Sequence, residues 1–445
     1  MVKNFIANGI VFLCGDELKR FLKIKAVAFC CLLLLSFCLG GCDLAKLISD
    51  SIMTESYEIE ATADTLPPIS EISSEHTLFG YERLTSDTSK QIYTLFEESK
   101  DEFKRTYRLP SDIPLRLISE ACDAFVNDHP ELFWLRGNFT YSKDSEFTQI
   151  DLMFSMRSWE ALERKEEFDA VVDKIVNNAP KNASALEIEI YINDYLVDNC
   201  EYDEESAKSD LTSGNANDAY GALVEKKAVC EGYARAFSLL CNRFGIENTI
   251  VVGNGIEEDG TIGEGHAWNC VKLGEDWYQV DVTWNDNEND ERKDIARYIY
   301  LNLDDKRMAK SHKVGRLYSE VSDEEFENSE ENKEGRILNR FVPECNSMKY
   351  NYFHSVATKF SSFDDESKVV SAIAQTAKKG EKYFYLAIDE KLDFADINRQ
   401  LCDKYIGDWA YDANLKNFYN PTIDDQIYIT SFELVNVIIL EMEYK

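Results

Sequence analysis

Three residues in the middle of the chain have types and an order suited to covalent acyl transfer. Cys230 opens a helical pattern, His266 lies in a strand pattern, and Asp281 lies near the end of the next strand pattern. A thiol, an imidazole and a carboxylate can act as nucleophile, general base and orienting group. Most single cysteines are structural, so this interpretation requires that the three side chains meet in space.

The residues after Cys230 predict an amphipathic helix that places the thiol at its start. Apolar residues recur at three- and four-residue steps from Tyr233 to Phe244, and Gly245 follows as a left-handed C-cap. Cys230 then falls in the first turn, where free N–H groups and the helix dipole favour a thiolate over a thiol. The alternative is a small buried cysteine with no chemical role.

His266 and Asp281 are predicted to lie on one face of a β-hairpin. Gly274 and Glu275 suit a two-residue loop with glycine first. That loop places Asp281 opposite Trp268 and one diagonal step from His266, about 7–8 Å between backbones. A slip of one residue would send the carboxylate to the other face.

This constellation resembles the transglutaminase-like superfamily, which is similar to papain in its core. The resemblance rests on the Cys–His–Asp order, on His266-Ala-Trp268 and on the D-x-T-W sequence that starts at Asp281. It covers about residues 183–305, and Val282 stands where the family usually has proline. The resemblance implies that Cys230 is the nucleophile, His266 the base and Asp281 the orienting residue.

The resemblance also implies a polar side chain, from an upstream segment, that helps to stabilise the oxyanion. Tyr202 could supply it, although a half-buried structural tyrosine is an equal alternative. The backbone N–H of Cys230 is the safer oxyanion donor.

The family name does not fix the reaction, because the family contains protein cross-linkers, peptidases and inactive members. Hydrolysis of a protein or peptide amide is favoured here, since water is always available and nothing in the sequence marks an amine-binding channel. Protein cross-linking and a non-catalytic peptide-binding module are the two alternatives.

The N-terminus reads as a bacterial lipoprotein signal. A basic segment at residues 19–25 precedes a short apolar run that ends in Leu39-Gly40-Gly41-Cys42. The last four residues resemble a lipobox, which implies cleavage before Cys42 and lipidation of its thiol. The predicted location is the outer face of the cytoplasmic membrane, and an uncleaved anchor is the alternative.

The predicted fold class is α+β, with a catalytic helix packed on an antiparallel sheet and flanked by an N-terminal α+β region and a C-terminal α+β domain. The strand patterns continue through Thr283 and recur at Tyr298–Leu303. The predicted divisions are a signal peptide (1–41), an acidic tether (42–76), an N-terminal region (77–182), the catalytic domain (183–318), an acidic linker (319–336) and the C-terminal domain (337–445).

Composition narrows the list of partners. The net charge is −34, and no basic patch suggests a nucleic acid partner. Seven cysteines remain after Cys42, and their wide spacing matches neither a metal site nor a dense disulfide framework. We therefore expect no metal and no cofactor, a protein or peptide substrate, and membrane association through the lipid alone.

Overall fold

The computed structural model describes residues 63–69, 72–208, 215–257, 259–286, 292–328, 338–339 and 341–445. The predicted signal peptide, the lipidation site Cys42 and residues 43–62 lie outside this part of the chain. Within the described ranges, every helix is too short or too polar to cross a membrane.

The N-terminal region combines helices with an antiparallel sheet. The helices are α1 (Phe79–Arg83), α2 (Asp87–Ser99), a 3₁₀ turn (Lys100–Glu102), α3 (Leu115–Asp128) and α4 (Ser158–Asn178), and the strands are β1 (Thr106–Pro110), β2 (Leu135–Lys143) and β3 (Phe147–Phe154). β3 lies between β1 and β2. Burial alternates along the first part of β3, so one face of the sheet packs inward.

Residues 63–69 belong to this fold, whereas the sequence predicts a tether up to residue 76. The Asp64 carboxylate accepts a hydrogen bond from the Arg108 backbone N–H at 2.9 Å and pairs with Lys104 at 3.0 Å. Leu66 packs against the buried core. The tether prediction is wrong for this segment, because its acidic and apolar side chains both find partners beside β1.

The next part of the chain contains the predicted catalytic helix. Its first elements are α5 (Ala185–Asn199), β4 (Glu201–Tyr202), α6 (Glu204–Ala207), a π-helical turn (Gly221–Glu225), β5 (Lys227–Ala228) and α7 (Cys230–Arg243). The Ser184 side chain accepts a hydrogen bond from Glu187 N–H in a capping box that starts α5. Gly245 follows α7 with φ +68°, the left-handed conformation predicted for it.

A four-stranded antiparallel sheet packs against α7. Its elements and those beside it are β6 (Asn248–Ile256), β7 (Ile262–Leu273), β8 (Asp276–Val280), α8 (Val282–Asn285), α9 (Lys293–Ala296), α10 (Asp305–Met308), β9 (His312–Val314) and β10 (Arg316–Leu317). The strand order is β8-β7-β6-β9. Residues 232–241 of α7 are all buried, because the helix is covered by the sheet on one side and by the N-terminal region on the other.

Two strand predictions are wrong. β8 ends at Val280, and Thr283 lies in α8 rather than on a strand. The segment Tyr298–Leu303 makes one isolated bridge, between Leu303 and Gln279, and otherwise forms turns. Asn302 adopts a left-handed φ of +62°, which ends any extended run there.

The predicted acidic linker at 319–336 is structured in its first half. It contains a 3₁₀ turn (Tyr318–Glu320) and α11 (Asp323–Asn328). Asp323 pairs with Arg116 at 2.7 Å, and Glu325 pairs with Arg316 at 2.7 Å. The linker prediction is therefore wrong up to residue 328, because cations of neighbouring elements neutralise its acidic side chains. Residues 329–336 lie outside the described ranges.

The C-terminal part is α+β, as predicted. Its elements are β11 (Leu338–Asn339), α12 (Tyr352–Val356), β12 (Thr358–Phe360), a 3₁₀ turn (Phe363–Asp365), α13 (Glu366–Lys379), β13 (Tyr383–Ile388), α14 (Phe394–Gln400), a π-helical turn (Leu401–Tyr405), α15 (Ile406–Lys416), β14 (Ile423–Phe432), a 3₁₀ turn (Glu433–Val435) and β15 (Val437–Tyr444). The sheet order is β12-β13-β15-β14. Trp409 of α15 is fully buried in the core beneath this sheet.

The main hydrophobic core crosses the predicted boundary between residues 182 and 183. One cluster of buried residues extends from Leu78 in the N-terminal region to Leu301. A second cluster joins Trp268 of β7 to Val437 of β15. Apolar packing from both flanking regions thus supports α7 and the sheet that position the candidate site.

Candidate active site

Cys230 is the first residue of α7, as the sequence predicts. Its predecessor Val229 is extended (φ −93°, ψ 178°), so the helix begins at the thiol. The backbone N–H of Cys230 therefore has no acceptor within the helix. Cys230 is half-buried and packs beside Ala234, Ile250 and Ala267.

A close backbone approach fixes the first turn of α7. A Cβ atom on Gly232 would lie 2.4 Å from the Ala216 carbonyl oxygen and 2.8 Å from the Ala228 Cβ. The Val229 N–H donates to the same Ala216 carbonyl at 2.9 Å. The segment before the helix is therefore in direct contact with its start, and only glycine fits at position 232 without a shift.

The hairpin brings His266 and Asp281 together in the predicted register. Leu273 pairs with Asp276, and Asn269 pairs with Val280. The next position in this register places Trp268 opposite Asp281, as predicted. The His266 Nε2 lies 2.7 Å from the Asp281 Oδ2. The two-residue loop predicted from the sequence is therefore correct, and it sets this contact.

The carboxylate of Asp281 is held where β8 passes into α8. It caps α8, since its Oδ1 accepts the Trp284 backbone N–H at 3.1 Å. The Asp281 N–H donates to the Tyr300 carbonyl at 3.0 Å. The residue is fully buried, so its charge depends on these partners rather than on water.

The Cys230 side chain also interacts with His266 and contributes to the shift of its pKa, so His266 is coupled to both other residues. Since Nε2 is engaged by Asp281, Nδ1 is the nitrogen left for sulfur. Burial lowers the pKa of His266, but the Asp281 carboxylate and the Cys230 side chain outweigh it and raise that pKa to about 10. Burial alone would raise the pKa of Asp281, but His266 and His312 hold it below its usual range.

His312 is a site residue that the sequence analysis missed. It starts β9, and its Nε2 lies 2.9 Å from the same Asp281 Oδ2. Burial lowers its pKa more than Asp281 raises it, so the ring is neutral near pH 7. No motif marks this residue; the one available signal is that the chain has only five histidines.

Two tryptophans enclose the histidine pair. The Trp268 ring stacks on His266 at 5.9 Å between centroids, and the Trp284 ring lies 5.5 Å from His266 and 4.2 Å from His312. These are the tryptophans of the two sequence motifs. They exclude water from the polar groups and thereby strengthen the hydrogen bonds between them.

Tyr202 lies near the start of α7. β4 pairs with β5 so that Tyr202 is opposite Ala228, two residues before Cys230. Burial raises the pKa of Tyr202 to about 12, and the nearby Cys230 adds to the shift. The phenol therefore keeps its proton near pH 7 and can donate a hydrogen bond.

The same residues are the candidates for holding a metal. Among the described residues, His266, Asp281 and His312 offer ligand atoms within 4.8 Å of one another. Both Nε2 atoms already lie at hydrogen-bond distance from the carboxylate, so a cation would have to replace those bonds. These three side chains already satisfy one another through hydrogen bonds, without a metal. The expectation of no cofactor stays a prediction.

Comparison with known families agrees with this geometry. Residues 169–282 match the transglutaminase-like superfamily, a range that contains Cys230, His266 and Asp281. This part of the chain is a transglutaminase-like domain, and its α+β fold has the papain-like arrangement of a helix on an antiparallel sheet.

Two solved structures are similar over part of their length. One is described as a candidate cysteine protease from Cytophaga hutchinsonii, with 22% identity and a TM-score of 0.21, covering 26% of this chain and 37% of that one. The other is described as a TGase, with 18% identity and a TM-score of 0.23, covering 35% of this chain and 46% of that one. This chain thus spans less than half of either protein. No curated protein matches the sequence.

Proposed function

We propose that this chain is a thiol acyl-transfer enzyme that acts on amide bonds of proteins or peptides. The observation that supports the proposal is the position of His266, which hydrogen-bonds the Asp281 carboxylate at 2.7 Å and interacts with the Cys230 side chain. A buried carboxylate, an imidazole and a thiol at a helix start are the parts that such chemistry needs.

In the first step the Cys230 sulfur attacks the amide carbonyl carbon. A C–S bond forms, the C–N bond breaks, and His266 gives the proton it took from the thiol to the leaving amine. Asp281 keeps the ring oriented and stabilises its charged form. Water or a primary amine then attacks the thioester carbon, and the released sulfur recovers its proton.

Two donors are candidates for stabilising the tetrahedral intermediate. The backbone N–H of Cys230 is free of helical hydrogen bonding because it opens α7. Tyr202 pairs with Ala228 just before the start of α7, and its phenol retains its proton. An oxyanion between them would receive two hydrogen bonds, and loss of one such donor costs about 10²–10³ in kcat.

Hydrolysis is the favoured outcome for the thioester, and cross-linking is the alternative. The test is turnover of a glutamine-containing peptide mixture with and without a fluorescent primary amine. Released acid or cleaved peptide alone supports hydrolysis, whereas a peptide that carries the amine supports transfer. Neither product from the parent, with the Cys230→Ala variant giving an identical result, would instead support a non-catalytic binding module.

The proposed location is the outer face of the bacterial cytoplasmic membrane, with a lipid on Cys42. The support is the basic segment, the apolar run and Leu39-Gly40-Gly41-Cys42. Metabolic labelling with an alkyne fatty acid should mark the parent and not Cys42→Ser. A labelled Cys42→Ser protein would contradict the proposal, and Cys38→Ser, which should label normally, is the matched control.

A further inference from the structure

Asp281 receives one more hydrogen bond than a catalytic triad requires. Its Oδ1 accepts the Trp284 N–H at 3.1 Å, and its Oδ2 accepts both His266 Nε2 at 2.7 Å and His312 Nε2 at 2.9 Å. The side chain of His312 is fully buried, and that of Asp281 is 1% exposed. A neutral donor that is buried against a catalytic carboxylate needs an explanation beyond filling space.

The position of Asp281 explains why a second side-chain donor is useful. The residue lies just past the end of β8 and caps a helix of only four residues, so the ladder of the sheet does not hold it. Without His312, Oδ2 would be held by His266 alone, the ring that this oxygen has to orient. The bond from His312 fixes Oδ2 independently of His266.

His312 is itself held in one orientation. The Ser311 hydroxyl lies 2.9 Å from its Nδ1, and the Trp284 and Trp268 rings pack at 4.2 and 4.9 Å between centroids. Because the Asp281 carboxylate can only accept, the proton of the neutral ring is on Nε2, which faces it, and Nδ1 is left as an acceptor. The burial that lowers the pKa of His312 keeps this neutral form, so the ring donates without adding a second charge.

The sheet leaves room for this arrangement. His266 on β7 pairs with Gly253 of β6, and His312 on β9 pairs with Gly255 of the same strand. A Cβ on Gly253 would lie 2.8 Å from the Trp268 ring, and one on Gly255 would lie 3.4 Å from the Trp284 ring. Two glycines on one face of β6 thus admit the rings that bring both histidines to a single carboxylate.

We propose that His312 is a positioning residue of the active site: its Nε2–H fixes the Asp281 carboxylate, which in turn orients His266 toward Cys230. The effect of His312 on turnover rests on the acyl-transfer function proposed above. The hydrogen bond from His312 to Asp281 can be tested whether or not that function is correct. The chemical role is that of a neutral donor to the third member of the triad, so His312 acts through Asp281.

Two substitutions separate this role from packing. His312→Gln removes the ring but can place an amide N–H near the position of Nε2. His312→Phe keeps an aromatic ring between the tryptophans and removes the donor. If His312 only fills space, the phenylalanine variant is the better one; if it donates to Asp281, the glutamine variant is better.

The first readout does not need a substrate. The ring N–H proton of His266 that is shared with Asp281 should give a downfield proton resonance, assigned by its absence in His266→Gln. We expect this resonance in the parent and in His312→Gln, and its loss through solvent exchange in His312→Phe. An unchanged resonance in His312→Phe overturns the proposal, even if the parent shows no turnover and the proposed function itself fails.

The second readout is kinetic. His312→Phe should lower kcat by roughly 10–100-fold, the scale of a small misplacement of a catalytic group, while KM changes by less than about threefold. His312→Gln should recover most of that loss. Equal kcat in the parent and His312→Phe, or a glutamine variant that is worse than the phenylalanine variant, contradicts the positioning role.

Thermal unfolding shows whether each variant is folded at the assay temperature. If His312→Phe is not, Ser311→Ala takes its place, because it removes the hydrogen bond to Nδ1 without disturbing the aromatic packing. This variant should weaken the His266 resonance by freeing the His312 ring to change tautomer. A resonance as strong as in the parent would overturn the proposal.

Discussion

The Nε2 of His266 on β7 lies 2.7 Å from the Oδ2 of Asp281, which is fifteen positions away and just past the end of β8. The contact depends on a two-residue loop, since an odd loop would place the carboxylate on the other face of the hairpin. It leaves the second ring nitrogen of His266 for Cys230 at the start of α7. The reactivity of Cys230 is therefore tied to the register of a hairpin that does not contain it.

Cys230 should be the most reactive thiol of the described residues. Burial raises the pKa of Cys200 to about 12 and also raises the pKa of Cys241, so neither forms a thiolate readily. Cys402 is exposed as a residue, but its thiol is partly desolvated. This partial burial, together with the neighbouring Asp403 carboxylate, raises the pKa of Cys402. Iodoacetamide at pH 6 followed by peptide mass spectrometry should find Cys230 modified first.

The matched comparison for this prediction is the exposed thiol. His266→Gln should slow alkylation of Cys230 toward the rate of Cys402, because it removes the imidazole and leaves only the helix start to favour a thiolate. Alkylation of Cys402 as fast as Cys230 in the parent would mean that the helix start and His266 do not activate the nucleophile.

Asp281→Asn should reduce turnover by about 10²–10⁴. The amide can still hydrogen-bond His266, but it favours the wrong tautomer and no longer stabilises the charged ring. Steady-state kinetics on any peptide substrate measures the loss. Asp276→Asn, on the same hairpin but away from the site, should keep parental activity, and a parental rate for Asp281→Asn would assign the third role to another residue.

Local patterns were enough to predict the helix and the hairpin. The apolar spacing and Gly245 defined α7, and Gly274 with Glu275 defined the register, because both features depend on residues that are close in sequence. Only Gly274 of that pair has a positive φ, in agreement with the predicted loop. The residues Cys230, His266 and Asp281 could thus be brought together without a structure.

Features that depend on distant pairings could not be predicted. His312 reaches Asp281 because the three-residue strand β9 pairs with β6, and a strand that short has no recognisable pattern. Tyr298–Leu303 has the composition of a strand, but Asn302 turns the chain, and its side chain donates to Glu189 at 2.8 Å. The acidic residues at 323–328 read as solvated until their cationic partners are known.

The ion pair between His266 and Asp281 should make stability depend on pH. The folded pKa of His266, about 10, is above the unfolded value near 6.5, so its contribution is full below about pH 6.5 and is lost as the pH rises to about 10. The lowered pKa of Asp281 makes its contribution present above about pH 4 and lost in acid. The free energy of unfolding in urea should therefore differ most between the parent and His266→Gln between about pH 4 and 6.5.

The control for this pH dependence is His354→Gln. Burial lowers the pKa of His354, and its Nε2 lies 2.9 Å from the Val435 carbonyl. A histidine whose pKa is lowered by folding is neutral in both the folded and the unfolded state above its unfolded pKa, so its contribution to stability no longer changes with pH there. The difference in free energy of unfolding between the parent and His354→Gln should therefore stay flat between about pH 6.5 and 10. A flat difference for His266→Gln over the same range would contradict the charged pair.

Gly232→Ala should impair the site without changing any reacting group. The new Cβ would lie 2.4 Å from the Ala216 carbonyl oxygen and 2.8 Å from the Ala228 Cβ, and the backbone oxygen cannot move aside as a flexible side chain could. The first turn of α7 would have to shift, at a cost of about 1–3 kcal/mol. Because Cys230 lies in that turn, its alignment with His266 would change as well.

Two measurements check the glycine prediction, with Gly407→Ala as the matched control. Gly407 lies within a helix, and a Cβ there meets no atom within 4 Å, so alanine should be neutral or stabilising by up to about 1 kcal/mol. Gly232→Ala should lower the free energy of urea unfolding and also slow alkylation of Cys230 at pH 6. Destabilisation with unchanged alkylation would mean that the helix start is tolerant of movement, and that the contact with His266 does not depend on the close approach at Gly232.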